Sequence, residues 1–509
     1  MKVDESIKTL ARGANIVFIG IIISKILALA YRAIVARIGV QEYGALSLGL
    51  AITSFLITLS LLGLDFGIMR FLPDYHEKKN PYKKQSAIST ATVIAGLCSI
   101  LLAVIVFVNA DFLAGLFHAE NLAIIMKILA FILPFDVLRI IFFSILKSYK
   151  QPKYEIYGKN VIESGIKVIL TLLLLMLGFG LMGATLAHAI AIAVSFLASL
   201  YFLKHNPIEK ISRLIKFNIN KEVIIYSLPL VFNALIILII SWADTMLLGI
   251  FRTTKEIGLY NAAIPLANLM YVFPNALLII FLPILTTLHV QKEKESFITL
   301  YKTITKWIIT FNIAILIAFL ILKKEILIAA FGQEYASASL ACIILSIGNL
   351  LYYAALTSNN VLLTLKKTKY IFLISAIGAG SNILLNLYMI PKYGFLGAAI
   401  TTLFSQLIMA IMLYAKSKSL LESEIFTKEY WKILFAGLLT YGISSIVYNK
   451  LNALHPYISI PIITAIIVII YAVTLNVLKY INEEEKILLR FIREKYHVKI
   501  PLFERFIRR

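Results

Sequence analysis

The chain has 509 residues, 60% of them apolar and only 15% charged, with a formal net charge of +22 at pH 7. Its mean hydropathy is +0.88. Soluble domains carry about 25% charged residues, so this composition excludes an ordinary soluble domain. The apolar runs are continuous rather than alternating, which excludes a transmembrane β-barrel.

In chain order, the runs predict membrane helices over 13–36, 44–65, 86–108, 122–146, 160–178, 181–203 and 223–250. Further spans follow over 258–287, 303–322, 338–364, 370–390, 394–415, 431–448 and 456–479. Each run is long enough for a bilayer core of roughly 30 Å at 1.5 Å per residue. Backbone groups in lipid need partners inside their own segment, which makes the runs helices. The first run, with Lys25 and Arg32 inside it, is too long for a cleavable signal. Cys98 and Cys342 lie in apolar runs and read as packing, not as a disulfide or metal site.

With residues at the span ends counted in their loops, the segments on the amino-terminal side hold 37 Lys and Arg and those on the other side 7. That asymmetry puts both termini in the cytoplasm of a multi-pass plasma-membrane protein. It explains the net charge as an orientation signal rather than a nucleic-acid footprint.

The sequence also repeats. Glu42-Tyr43-Gly44 matches Glu256-Ile257-Gly258, and Gly180-Leu181-Met182-Gly183-Ala184 matches Gly394-Phe395-Leu396-Gly397-Ala398, both at an offset of 214. Lys153-Tyr154 matches Lys369-Tyr370 at 216. Six spans per copy predict two parallel six-helix bundles related by a pseudo-two-fold along the membrane normal. The expected organisation is an N-lobe over 1–205, a cytoplasmic linker over 206–222 and a C-lobe over 223–416. Two extra helices (431–480) and a basic amphipathic tail (481–509) complete it.

Ionisable residues at membrane depth are expensive unless they face protein or a wet cavity. The first half carries Lys25 and Arg32 on one helix face, Asp65, the pair Asp136 and Arg139, and the pair Glu163 and Lys167. The second half has Asp244 and stripes of amides: Asn261, Asn268 and Asn275; Asn349, Tyr353 and Asn360; Ser375, Asn382 and Asn386. Two readings follow. The acids and bases pair locally and the amides join helices. Alternatively, Lys25, Arg32, Arg139 and Lys167 form a cationic cavity for a phosphorylated cargo, with Asn268 and Asn386 meeting sugar hydroxyls. His188 reads first as a packing residue, and Pro134, Pro229, Pro265, Pro274 and Pro283 predict kinks. No P-loop, zinc spacing or nucleophile elbow is present, so no catalytic residues are named.

Certain motifs go further. Tyr226-Ser227-Leu228-Pro229-Leu230, Ala243-Asp244-Thr245-Met246-Leu247-Leu248-Gly249 and Ile257-Gly258-Leu259-Tyr260-Asn261-Ala262-Ala263 resemble the entry to the second half of polysaccharide-export flippases. So do Phe331-Gly332-Gln333-Glu334-Tyr335 and Asn382-Ile383-Leu384-Leu385-Asn386 with Ile390-Pro391-Lys392-Tyr393-Gly394. The resemblance is to the O-antigen and teichuronic-acid branch of the multidrug/oligosaccharidyl-lipid/polysaccharide superfamily. It implies two six-helix lobes, two extra helices, and alternating access that moves a polyprenyl-diphosphate-linked oligosaccharide to the outer leaflet. It also implies polysaccharide-assembly enzymes as partners and no cofactor. Membrane potential, or H⁺ or Na⁺ bound at Asp65 or Asp244, would drive transport. An ion-coupled multidrug exporter of the same superfamily is the alternative. A membrane glycosyltransferase or polymerase ranks below it, because the outer loops are too short for a catalytic domain.

Overall fold

The computed structural model describes residues 23–205, 219–425, 429–451 and 455–480. The predicted tail, most of the linker and the start of the first span lie outside the described residues. Within them the chain is helical, with no strand.

The first part comprises α1 (23–36), α2 (Val40–Leu61), α3 (Leu64–Glu77), α4 (Pro81–Val108), α5 (Ala110–Leu116) and α6 (Leu122–Ser148). Then come α7 (153–176), α8 (Gly180–Lys204), α9 (Lys221–Phe251) and α10 (Thr254–Val290). The remainder comprises α11 (Lys294–Ile321), α12 (Lys323–Ala330), α13 (Ser339–Thr364), a long helix Thr368–Leu421, α16 (Tyr430–Leu451) and α17 (Pro456–Val477). Thr368–Leu421 breaks at Gly394 (φ 58°) into α14 (368–393) and α15 (395–421).

Eleven helices of the described residues are long and apolar enough to cross a membrane. With α14 and α15 taken separately, α7 added, and α1 as the described part of the first span, they account for the fourteen predicted spans. The protein is an all-α integral membrane protein.

Local chemistry sets several helix starts. The side chains of Asn80 and Asn220 accept from the backbone N–H of Lys83 and Val223, capping α4 and α9. Pro81 fills the first turn of α4, where its missing N–H is not needed. The repeat-related glycines Gly180 and Gly394 both open a helix at positive φ (50° and 58°), a conformation that a Cβ disfavours.

The chain separates into two compact units, Met1–Asn261 and Ala262–Arg509. In the first, α6 is the central helix and packs on α2, α3, α4 and α8. Its Leu133, Val137 and Ile141 meet Leu64 and Ile68 of α3 and Ala87 and Ala91 of α4. Ala87, Ala91, Ala95 and Ser99 are buried at four-residue spacing. Such a stripe of small side chains lets membrane helices approach closely. The glycines of the other repeat meet directly: a Cβ on Gly44 would overlap the Thr254 carbonyl, and one on Gly258 would overlap the Val40 carbonyl.

In the second unit α11 is central, with Trp307, Ile308, Ile313 and Ile317 buried among residues of α10, α13, α16 and α17. Gly437 of α16 brings that helix onto Ile313 and Ile317. Near the start of α16, the buried ammonium of Lys306 donates to Glu429 Oε2 at 3.2 Å and to the Tyr480 carbonyl at 2.8 Å. It also lies 4.2 Å from the Tyr480 ring centre, and the Tyr480 hydroxyl bonds Thr310 Oγ1 at 2.6 Å. Lys306→Ala is expected to destabilise the protein by about 3 kcal/mol, because it strips a buried carbonyl and a carboxylate of one donor. Tyr480→Phe, which removes only a hydroxyl, should cost about 1 kcal/mol. Thermal unfolding in detergent checks both, and the ranking must hold.

Candidate functional site: a cationic cluster in the first unit

Asp136 and Arg139 lie one turn apart on α6, just past Pro134. The Arg139 guanidinium forms ion pairs with both Asp136 and Glu163 of α7. Its Nε donates to Asp136 Oδ1 at 3.1 Å and its Nη1 to Ser195 Oγ of α8 at 3.2 Å. Ser195 in turn donates to the Gly158 carbonyl at 3.0 Å. Arg139, Asp136 and Glu163 are 3%, 6% and 7% exposed. Two carboxylates thus occupy one buried guanidinium, and three helices are tied together through it.

Lys167, one turn beyond Glu163, holds its ammonium 4.7 Å from the centre of the Tyr31 ring. Tyr31 stacks at 6.4 Å on His188. Arg32, Arg139, Lys159 and Asp136 are the charges within electrostatic range of Lys167. Arg32 also reaches the Tyr43 phenol, whose hydroxyl donates to the Asn261 carbonyl at 3.1 Å. The cluster therefore has four cations and two carboxylates, and both carboxylates are engaged by Arg139. Among the described residues, no carboxylate lies at ion-pair distance from Arg32, Lys159 or Lys167.

Lys159 was not singled out from the sequence. It precedes Glu163 and Lys167 by four and eight residues, so the signal was a continued stripe on one helix face. The predicted span began at 160, which left Lys159 among the loop cations.

The other candidates fall elsewhere. Lys25 is exposed on α1, and no contact among the described residues joins it to the cluster. Asp65 sits in the first turn of α3, after the left-handed residues Leu62 and Gly63. A carboxylate there is favoured by the helix dipole. Asp244 is buried and accepts from the Tyr260 hydroxyl.

The amide stripes resolve into knots. Asn261 donates to Thr245 Oγ1 at 3.1 Å. Asn386 is fully buried; it donates to Asn382 at 3.0 Å and accepts from Thr401 across the Gly394 bend. Asn268 is exposed within a 3₁₀ turn, Asn268–Tyr271, and its Oδ1 accepts from Tyr353 (3.0 Å) and Asn349 (3.3 Å). The second unit also has a crevice of about 350 Å³ lined by apolar side chains such as Ile309, Ile313, Ile411 and Leu434. Its surface offers little to a polar cargo.

Comparison with known proteins adds a family. An uncharacterized membrane protein of Methanocaldococcus jannaschii, MJ1068, is 24% identical over 76% of this chain and 79% of its own length. The capsular polysaccharide biosynthesis protein CapF of Staphylococcus aureus is 26% identical over 55% of this chain and 74% of its own. The probable low-salt glycan biosynthesis flippase Agl15 of Haloferax volcanii is 26% identical over 32% of this chain and 35% of its own. The fold matches the lipid II flippase MurJ in an inward closed conformation with a TM-score of 0.73 at 19% identity, covering 91% of this chain and 98% of that one. It matches an inward-facing MATE-family multidrug resistance transporter of the MOP superfamily with a TM-score of 0.65 at 15% identity, covering 78% and 94%. The family described as polysaccharide biosynthesis protein matches residues 10–289, and the chain belongs to it.

Proposed function

We propose that this chain is a flippase that carries a polyprenyl-diphosphate-linked oligosaccharide from the cytoplasmic to the outer leaflet of the plasma membrane by alternating access, with both termini cytoplasmic. The observation that carries this reading is the presence of Arg32 and Lys167 within membrane-spanning helices with no carboxylate at ion-pair distance among the described residues, beside an arginine that already has two. Uncompensated cations at that depth are retained where an anion visits. A diphosphate suits a guanidinium and an ammonium together. Family membership and the names of CapF and Agl15 support a saccharide cargo.

A net negative headgroup moving outward gains about 2.3 kcal/mol per charge per 100 mV of inside-negative potential. The potential would drive transport, or H⁺ or Na⁺ bound at Asp65 or Asp244 would do so in its place. Polysaccharide-assembly enzymes would supply the cargo and receive it.

The test is transport of a fluorescent polyprenyl-diphosphate saccharide in reconstituted vesicles. Each lost charge-assisted contact is worth about 1.5–3 kcal/mol. Arg32→Ala with Lys167→Ala should therefore slow flipping at least about 100-fold, and wild-type rates in that variant would refute the reading. Likeness to the multidrug transporter fold favours a second reading, export of organic cations. It predicts efflux of a cationic dye from the same vesicles and no response to the lipid-linked saccharide.

A further inference from the structure

Helix α7 departs from α-helical geometry next to the cluster: Ile156–Glu163 is π-helical. Such wide turns are rare, and many lie at functional sites. Three contacts hold this one. Gly158 lies against Phe143, where a Cβ would overlap the aromatic ring. The Gly158 carbonyl accepts from Ser195. Glu163, the last residue of the turn, is paired to Arg139.

Lys159 is carried by this turn. Its side chain is exposed. Lys159 stands four and eight residues before Glu163 and Lys167, on the face of α7 that carries the cluster. Arg139, Glu155, Asp136 and Lys147 are the charges around it. Asp136 is bound to Arg139, and Glu155 is 3.2 Å from Lys147. Lys159 is eight residues from Lys167, about 12 Å along the helix.

We propose that Lys159 is the first anion ligand on the substrate path, receiving the lipid diphosphate near the start of α7 and passing it to Lys167 and Arg32 about 12 Å further along. The Asp136–Arg139–Glu163 triad with Ser195 is the brace that presents it. Arg139 is thus a positioning residue and does not ligate the cargo. The inference rests on Arg32 and Lys167 being anion ligands, and it adds an order of binding and a division of labour.

The test uses the full-length protein in vesicles, with a fluorescent polyprenyl-diphosphate saccharide over a range of concentrations. Lys159→Gln should raise the half-saturating concentration about tenfold, with the loss falling on saturation rather than on the maximal rate. Lys159→Arg should restore it. Lys167→Gln should instead depress the maximal rate. Gly158→Ala should reproduce the Lys159→Gln phenotype, and adding Phe143→Leu should relieve it. Unchanged saturation in Lys159→Gln, with flipping abolished in the Arg32 and Lys167 double variant, would remove Lys159 from the path and leave the site reading intact. A fall in maximal rate alone would make Lys159 a helix-positioning residue and overturn the proposal. Wild-type behaviour in every variant would overturn the proposal and the site reading together.

Discussion

Arg139→Leu is expected to leave little folded protein. The substitution strands two carboxylates, Asp136 and Glu163, that are 6% and 7% exposed. Breaking a buried ion pair from one side costs about 3–5 kcal/mol, because the abandoned charge has no solvent to turn to. Here two acids are abandoned at once, and the Ser195 hydroxyl loses a donor. That is comparable to the whole stability of many domains, about 5–15 kcal/mol. Neutralising the acids should reverse much of the loss. The triple variant Arg139→Leu, Asp136→Asn, Glu163→Gln is expected to recover several kcal/mol, since a neutral replacement of a buried ion cluster is often near-neutral. Size-exclusion profiles and thermal unfolding in detergent measure both. A stable, monodisperse Arg139→Leu single variant would show that the triad does not brace the helices. High salt should change little, because pairs buried this far are poorly screened.

The second large effect is expected at Gly258. A valine there would press its Cβ into the Val40 carbonyl, and a leucine at Gly44 would meet the Thr254 carbonyl. Backbone atoms cannot rotate aside as side chains can, so α2 and the start of α10 would have to separate. Overpacking in a tight site typically costs 1–3 kcal/mol and sometimes more. The adjoining bond from the Tyr43 hydroxyl to the Asn261 carbonyl would stretch with it. Gly258→Val should lower the unfolding temperature markedly, and Gly258→Ala should already show part of the effect. A Gly258→Ala variant as stable as the parent would mean that the two backbones do not touch.

The helices were legible in the sequence because lipid leaves a segment no other way to satisfy its backbone, and each run is about as long as the bilayer is thick. The repeat was legible too. Gly180 and Gly394 were matched as letters, and both take a positive φ at the start of a helix. Gly44 and Gly258 were matched as well, and they prove to be the two sides of one contact.

Side-chain partners were harder to read. The pairing of Asp136 with Arg139 follows from their spacing. The draw of Glu163 towards Arg139, rather than towards Lys167 one turn away, depends on how α6 faces α7. The π turn has no signature in the sequence, and Lys159, one residue before the predicted span, was counted with the loop cations. The seven-residue rhythm of Asn261, Asn268 and Asn275 suggested one wet face. The 3₁₀ turn at Asn268 interrupts that face, and Asn261 is spent on Thr245.

The hold of Lys306 on Tyr480 has a mechanical consequence. The last described residue is fastened by its carbonyl and its ring to the interior of α11, more than 170 positions earlier in the chain. A pull exerted on residue 480 from its carboxyl side is therefore borne by that ammonium grip before it can unwind α17. The load passes into the central helix of the second unit rather than into its final span.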